Sequence, residues 1–470
     1  MNHAIAVSFD ADCMRRYDRE GPRYTSYPTA QHFAEGLAPN TYGRAAATSR
    51  GAREGQPLSA YVHIPFCSSP CFYCGCNKII THKLDRMDAY VGHLLSEISL
   101  RGRLFDRNRV VDQLHFGGGT PTYLPAKFLI EILERLGREF KLTDTADRDY
   151  SIEIDPRSAD PGSLQILASI GFNRISLGVQ DFDEHVQRAV NRVQPEAMVA
   201  TVYEAARGLK FSSINFDLIY GLPLQTVASF GATLDRVVAM RPDRVAVYGY
   251  AHMPRLFKAQ RQIRGDELPN AAERLLLLQL AVHTLGEAGY EYIGMDHFAL
   301  PGDSLAQAQH DGTLHRSFQG YTTHANRDLV SFGVSAIGHV GDLYVQNHKL
   351  LAAYEGALSS GVLPSSRGRS LNRDDHIRKQ VINAIMCQGT VDIAAIEADN
   401  GIDFGEYFAA ESARLLILQA DGLVELNRKY ISLTSVGRLL MRTVAMAFDA
   451  YVNAAPGNAA PQAAVMSRVI

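Results

Sequence analysis

An α/β fold built on a partial (β/α)6 TIM-like barrel, with an N-terminal arm ahead of it and a mainly helical, winged-helix-like domain behind it, is what this sequence predicts. Between residues 60 and 248, short apolar runs alternate six times with amphipathic helical stretches, the signature of parallel βα units. The residues before this alternation show no clear period. Those after it give helical segments and then one hairpin pattern.

Taken in order, residues 1–55 include a stretch rich in tyrosine, proline and arginine, from Tyr17 to Thr29, which reads as an arm laid on a larger body. Strands are predicted at 60–64, 111–116, 150–154, 174–178, 214–219 and 244–248, and helices between them at 86–100, 127–140, 195–208 and 229–240. Six units make three quarters of an eightfold barrel and leave one side open for a large substrate. The barrel and its extension are assigned to 56–362. The polar run 363–370 reads as a linker into a C-terminal domain, 363–452, in which 421–434 predicts a hairpin turning at 427–429. A helical domain with a β wing can bind DNA, but this one is not notably basic. Residues 453–470 are rich in alanine and proline and are predicted to be a flexible tail.

Composition excludes little. With 47 Lys and Arg against 50 Asp and Glu, the formal net charge is −3, so no global field points to nucleic acid or an anionic membrane. An anionic substrate would need a local basic pocket. No apolar run reaches the length of a membrane span, and the first ten residues lack a basic stretch ahead of a long apolar core. A cytoplasmic monomer is the expectation.

Four of the six cysteines fall within ten residues, Cys67-Ser68-Ser69-Pro70-Cys71-Phe72-Tyr73-Cys74-Gly75-Cys76. Thiolates at C-x3-C-x2-C spacing on one loop can face a common centre, and thiolate is what iron–sulfur clusters and soft metals select. A cubane cluster has four irons, so three cysteines leave one iron open. The rival is a structural zinc site with Cys76 as fourth thiolate, although such sites usually pair two knuckles across a longer stretch. Disulfides would be strained at this spacing. Cys13 and Cys387 read as unligated thiols.

In βα barrels, reactive groups collect at the C-terminal ends of the strands. The cysteine loop follows the first predicted strand. Gly117-Gly118-Gly119-Thr120-Pro121, Glu153-Ile154-Asp155-Pro156-Arg157, Gly178-Val179-Gln180, and Asp217 with Gly221-Leu222-Pro223 fall at the ends of others and would converge on one face. Glu153 and Asp155 alternate with isoleucines, so their carboxylates share a face on which one could accept from a ribose hydroxyl; a solvated polar face is the bland alternative. Glycines at a strand end let a ligand approach bare backbone, or simply make a turn.

The cysteine loop, the aromatic Tyr73 before its third cysteine and the glycine-rich strand end together resemble the radical S-adenosylmethionine (SAM) superfamily. The resemblance implies a [4Fe–4S] cluster on Cys67, Cys71 and Cys74, with SAM on the open iron and release of a 5′-deoxyadenosyl radical after electron transfer. Residues 21–30, 61–67, 74–78, 178–182, 190–194, 215–223 and 314–322 further resemble the oxygen-independent coproporphyrinogen III oxidases, a likeness that covers nearly the whole chain. It implies oxidative decarboxylation of two propionates of coproporphyrinogen III to vinyl groups, giving protoporphyrinogen IX in haem biosynthesis. Two SAM molecules, an unidentified reductant and an electron acceptor would take part. By motif position the first SAM would meet Tyr61, Tyr73, Gly118, Glu153 and Ile337, and the second Gly119, Thr120, Gln180, Arg192, Asp217 and Ala251. Cys76 marks the family. His63 shares by alternation the face of Tyr61. A catalytic role is open for both, a histidine hydrogen-bonded inside the barrel being the commoner case. Arg23 is a candidate for a substrate carboxylate. Ser317 stands where the family usually has asparagine, His324 where glutamine is common, and Gly338-His339 where serine and methionine are typical. The alternative is a radical-SAM-like haem-binding chaperone without dehydrogenase activity; such relatives typically lack Cys76 and the long arm. A zinc-bound winged-helix regulator would leave the βα body unexplained.

Overall fold

A computed structural model describes residues 7–38, 40–453 and 468. The expected flexible tail, 453–470, lies outside the described residues except for Asn453 and Arg468.

All six predicted strands form: β1 (Leu58–Ile64), β2 (Val110–Gly118), β3 (Asp149–Ile154), β4 (Arg174–Gln180), β5 (Ser213–Tyr220) and β6 (Arg244–Gly249). They pair in chain order and in parallel, with Ile64 opposite Gly118 and Gly178 opposite Asp217. Every C-terminal strand end therefore reaches one rim. Period-2 alternation sorts the side chains. On β4, Ile175, Leu177 and Val179 are buried under the helices, while Arg174, Ser176, Gly178 and Gln180 turn inward and stay partly accessible. β3 repeats this with Asp149, Ser151 and Glu153 inward, so the lumen is lined by polar groups.

The covering helices bury the expected stripes. Ala126–Glu139 places Phe128, Leu129, Ile132, Leu133 and Leu136 at helical spacing against the sheet. Val227–Met240 begins where Thr226 and Ser229 form a reciprocal capping box.

The sheet is larger than six strands. β7 (Glu291–Gly294) and β8 (His297–Ala299) add an antiparallel pair beside β6. Beyond β1 lies β9 (Asp328–Phe332), a seventh parallel strand with Asp328 opposite Leu58. All five of its residues are buried, so it shows no alternation for a pattern search to find. Its leading Asp328 is satisfied by Arg109 at 3.0 Å and Arg53 at 3.3 Å. Antiparallel β10 (Ile337–Val340) and β11 (Leu343–Asn347) follow.

The run expected to be a linker is instead β12 (Ser365–Ser370), paired with β11 on one side and with residues Ala34–Glu35 of the arm on the other. Its polarity misled because arginine stems cover aromatic surface here: Arg367 lies over Phe33 at 5.8 Å and Arg369 over Tyr451 at 4.6 Å. The arm thus extends the sheet as well as lying on it. It also docks on the C-terminal segment, where Tyr24 donates to Asp449 at 2.9 Å and Arg442 to the Pro22 carbonyl at 2.9 Å.

The predicted wing is present. Val424–Leu426 and Tyr430–Leu433 form a hairpin, Thr390–Asp392 adds a third strand, and helices Arg373–Gln388 and Ala409–Ala420 pack beside them. The Asn427 side chain accepts from the N–H groups of Lys429 and Tyr430, which closes the turn where expected. Among the described residues no helix is long and apolar enough to cross a membrane.

Candidate active site

The cysteine loop leaves β1 through Pro65 and is pinned at both ends. Phe66–Cys67 pairs in parallel with Ile79–Ile80, the Ile79 N–H donates to the Pro65 carbonyl at 2.7 Å, and Thr81 N–H to Cys67 at 3.3 Å. Between these pins, Cys67 and Cys71 are buried, Cys74 is half-buried and Cys76 is exposed. All four border one cavity of about 290 Å³ at the C-terminal rim. No group of three His, Cys, Asp or Glu side chains among the described residues is close enough to hold a single metal ion.

Each thiol has its own surroundings. Burial pushes Cys67 up to about 11, partly opposed by the Thr120 hydroxyl donating to its sulfur at 3.4 Å. Cys74 is pulled down to about 5, chiefly by the hydrogen bond from the Cys76 thiol and then by Lys78, against its burial; its sulfur also accepts from the Cys76 N–H at 3.4 Å. Cys71 accepts from Arg192 at 3.4 Å and Arg157 at 3.6 Å. Cys76 is thus a neighbour of a cluster-ligand candidate.

At the end of β2 the chain passes so close to β1 that side chains have no room. A Cβ on Gly118 would stand 2.7 Å from the His63 ring, at a φ of +124°, and one on Gly119 would stand 2.7 Å from Pro65. Both glycines and Thr120 line the cavity. Glu153 accepts from the Gly118 N–H at 3.0 Å; despite burial, His115 and this N–H hold its carboxyl below the usual range.

Across the cavity, β4 carries a bulge between Gly178 and Gln180 opposite β5, with Gln180 at a φ of +66°. The bulge re-aims Gln180 into the site. Arg192 donates to the Gly178 carbonyl at 2.7 Å and to Asp155 at 2.8 Å. Against the effect of burial, Arg192 and Arg157 keep Asp155 below the ordinary carboxylate range. Asp217 accepts from Ser176 at 2.6 Å and from Asn215 at 2.9 Å, yet burial raises it to about 6.

Twelve of the sequence-assigned residues meet at this cavity: Cys67, Cys71, Cys74, Cys76, Tyr73, Gly118, Gly119, Thr120, Glu153, Gln180, Arg192 and Asp217. Five do not line it. Tyr61 stacks on His115 at 5.8 Å and bonds His63 Nδ1 at 3.1 Å, while His63 Nε2 meets the Asn77 carbonyl at 3.0 Å. With both ring nitrogens engaged, His63 fastens the end of the cysteine loop. Ala251 follows β6, and Gln260 ties its carbonyl at 3.2 Å to that of Tyr73 at 2.9 Å. Ile337, on β10, packs beside Phe33, Tyr344 and Leu371. Arg23 pairs with Asp296 and lies over the Tyr248 ring at 5.9 Å, outside the cysteine cavity.

Sequence reasoning placed Arg157 at a converging strand end without giving it a role, missed Ser176 and Tyr248, and read Asp155 as a possible ribose acceptor rather than as a brace for two arginines. Arg157 had a local signal, since Asp155 before a proline caps the short turn that carries it. A further cavity of about 160 Å³ lies in the lumen and shares Glu153, Ser176, Asp217 and Tyr248 with the first.

The site fits a cluster and a polar ligand: three thiols on a pinned loop, bare backbone at Gly118–Gly119, and the buried Arg192 Nε and Gln180 Oε1 without hydrogen-bond partners among the described residues. The radical SAM superfamily model matches residues 61–237, and the model of the HemN C-terminal domain matches 371–440. The oxygen-independent coproporphyrinogen III oxidase of Pseudomonas aeruginosa is 51% identical over 95% of this chain and 96% of its own, and that of Escherichia coli 45% over the same shares. The solved Escherichia coli structure, described as coproporphyrinogen III oxidase (HemN), a radical SAM enzyme, superposes with a TM-score of 0.90 at 44% identity, covering 95% of this chain and all of that one. With the cysteine loop, the glycine rim and this likeness from arm to wing, the chain belongs to the oxygen-independent coproporphyrinogen III oxidases of the radical SAM superfamily.

Proposed function

We propose that this protein decarboxylates two propionate side chains of coproporphyrinogen III to vinyl groups, giving protoporphyrinogen IX without oxygen. Each propionate carboxylate loses a hydrogen atom from its β-carbon, then CO2 and one electron. The observation that carries the reading is 51% identity across 95% of the chain to a curated oxidase, with the cysteine loop bordering a cavity of the matching chemistry. The superfamily implies a [4Fe–4S] cluster and SAM; when bound, they supply the abstraction of that hydrogen atom.

Cys67, Cys71 and Cys74 would hold the cluster, and the pins at Phe66–Cys67 and Ile79–Ile80 keep the thiols in place beforehand. The backbone of Gly118 and Gly119 offers an approach for the SAM amino group, with Glu153 as a nearby acceptor. Arg192, braced by Asp155, presents a guanidinium to a carboxylate. A second SAM would meet Gly119, Thr120, Gln180, Arg192 and Asp217 at the cavity, with Ala251 behind its rim. In this reading Tyr61 and Ile337 support the first SAM from behind the rim. Cys76 donates to Cys74 and conditions the cluster rather than ligating it. We read the enzyme as a cytoplasmic monomer served by a separate reductant and electron acceptor.

The test is anaerobic reconstitution with iron and sulfide, followed by assay of CO2 and 5′-deoxyadenosine from coproporphyrinogen III with SAM and a reductant. The expected yield is two of each per protoporphyrinogen IX, with two SAM bound per chain at saturation. Haem bound without turnover would replace this reading with the chaperone; a colourless zinc protein would sink both.

A further inference from the structure

The three cluster-ligand candidates differ in what reaches their sulfurs. Cys67 accepts from the Thr120 hydroxyl at 3.4 Å, and Cys74 from the N–H and thiol of Cys76, with Lys78 nearby. Cys71 takes two guanidinium donors, Arg192 Nη1 at 3.4 Å and Arg157 Nη2 at 3.6 Å. Each of those nitrogens carries a pair of hydrogens, and both use the second in the same way. Arg192 Nη1 donates to Asp155 Oδ2 at 2.8 Å, and Arg157 Nη2 to the same oxygen at 2.7 Å. Two guanidinium nitrogens thus bridge one carboxylate oxygen and one sulfur.

The place of Arg157 in the chain sets it for this contact. Asp155 follows β3 and caps the short turn Pro156–Ser158, accepting from the Arg157 backbone N–H at 3.0 Å and from its Nε at 3.0 Å. Gripped side-on by the carboxylate, the guanidinium presents its remaining Nη2 hydrogen to Cys71. The side chains of Arg157, Asp155 and Arg192 are 20%, 10% and 7% exposed, so water screens the group weakly. Two cations against one carboxylate leave a net positive charge beside the sulfur.

We propose that Arg157 raises the reduction potential of the cluster that Cys71 would help to hold. Hydrogen bonds to a ligand sulfur draw charge from the thiolate and favour the reduced state, which carries one more negative charge than the oxidised state. Arg157 is then a positioning residue that acts through the Cys71 sulfur, with Arg192 as its twin and Asp155 holding both. The inference rests on the reading of Cys67, Cys71 and Cys74 as cluster ligands.

Redox titration followed by electron paramagnetic resonance, on the full chain loaded anaerobically with iron and sulfide and without SAM, tests it. Arg157→Gln is expected to lower the midpoint potential by about 60 mV, a tenfold change in the one-electron equilibrium. Arg157→Lys, which keeps the charge, lowers it less. A loaded Arg157→Gln with the potential of the unaltered chain overturns the proposal alone. An unaltered chain that assembles no cluster overturns the ligand reading beneath it as well. Should the glutamine variant not retain a cluster, the crystal structure of the loaded, unaltered chain decides: Arg157 within hydrogen-bond reach of the Cys71 sulfur supports the proposal, and Arg157 turned away from it overturns it.

Discussion

At Gly118 a single methyl group would stand 2.7 Å from the His63 ring and 2.9 Å from the Ile64 carbonyl, in left-handed backbone that side chains rarely adopt. Neither neighbour can yield cheaply, because His63 is fixed at both ring nitrogens and Ile64 is backbone of β1. Gly118→Ala is expected to destabilise the fold by about 2 kcal/mol, read from urea midpoints, and to abolish SAM binding in the cluster-loaded protein. Asp217 gives a pH signature. Its carboxyl titrates near 6 in the fold, against about 3.9 in an unfolded chain. Between those values the folded state binds more protons, so this group makes stability fall as pH rises from about 4 to 6. Asp217→Asn removes that slope. In apo protein its stability relative to the parent should rise across this window by on the order of 2 kcal/mol, less where solvent screens the site. At this scale the sequence marked cysteines and glycines because their chemistry is local. It could not mark the Asp155 brace on Arg192, whose partners meet only when β3 and β4 lie side by side. Nor could it show that Ser317, His324 and His339, three of the four positions expected to depart from the family's usual residues, line one cavity.

Among elements, the helix Leu84–Gly102 is fastened to the sheet through one buried carboxylate. Glu97 accepts from Arg101 at 2.8 Å, Asn347 at 2.8 Å, Gly333 N–H at 2.7 Å and Tyr354 at 2.8 Å. It thereby joins the helix to the turn after β9, to β11 and to the following helix. Glu97→Ala strands Arg101, itself fully buried, and is expected to cost about 4 kcal/mol in chemical denaturation. A conservative Glu97→Gln should recover part of it. The six barrel strands were legible because period-2 alternation and intervening amphipathic helices are strong, local signals. β9 was not, being buried on both faces, and β12 was not, because its core contacts are made by arginine stems and a glycine. At Gly368 a Cβ would stand 2.3 Å from the Tyr344 carbonyl, so close pairing rather than apolar pattern fixes that strand.

Over the whole molecule, the arm couples the barrel to the C-terminal segment. Residues 21–24 meet Arg442 and Asp449, Tyr27 accepts from Ala450 N–H at 3.1 Å, and Ala34–Glu35 completes the sheet edge. Asp449→Ala removes the acceptor for the buried Tyr24 hydroxyl. Hydrogen exchange in residues 20–30 should rise on the order of tenfold while exchange in β2 to β5 stays unchanged. Equal acceleration in both regions would show that the arm is not a separately opening unit.

The paired residues that hold the cysteine loop at its two ends also bear on how the enzyme matures. Phe66–Cys67 against Ile79–Ile80, and His63 against Asn77, are held by hydrogen bonds of the protein itself. The polypeptide can therefore finish folding before any iron arrives, and cofactor delivery becomes a late step performed on a finished scaffold. Chelating the iron should leave the far-ultraviolet circular dichroism intact and the protein ready for reloading, unlike domains whose metal supplies their folding energy.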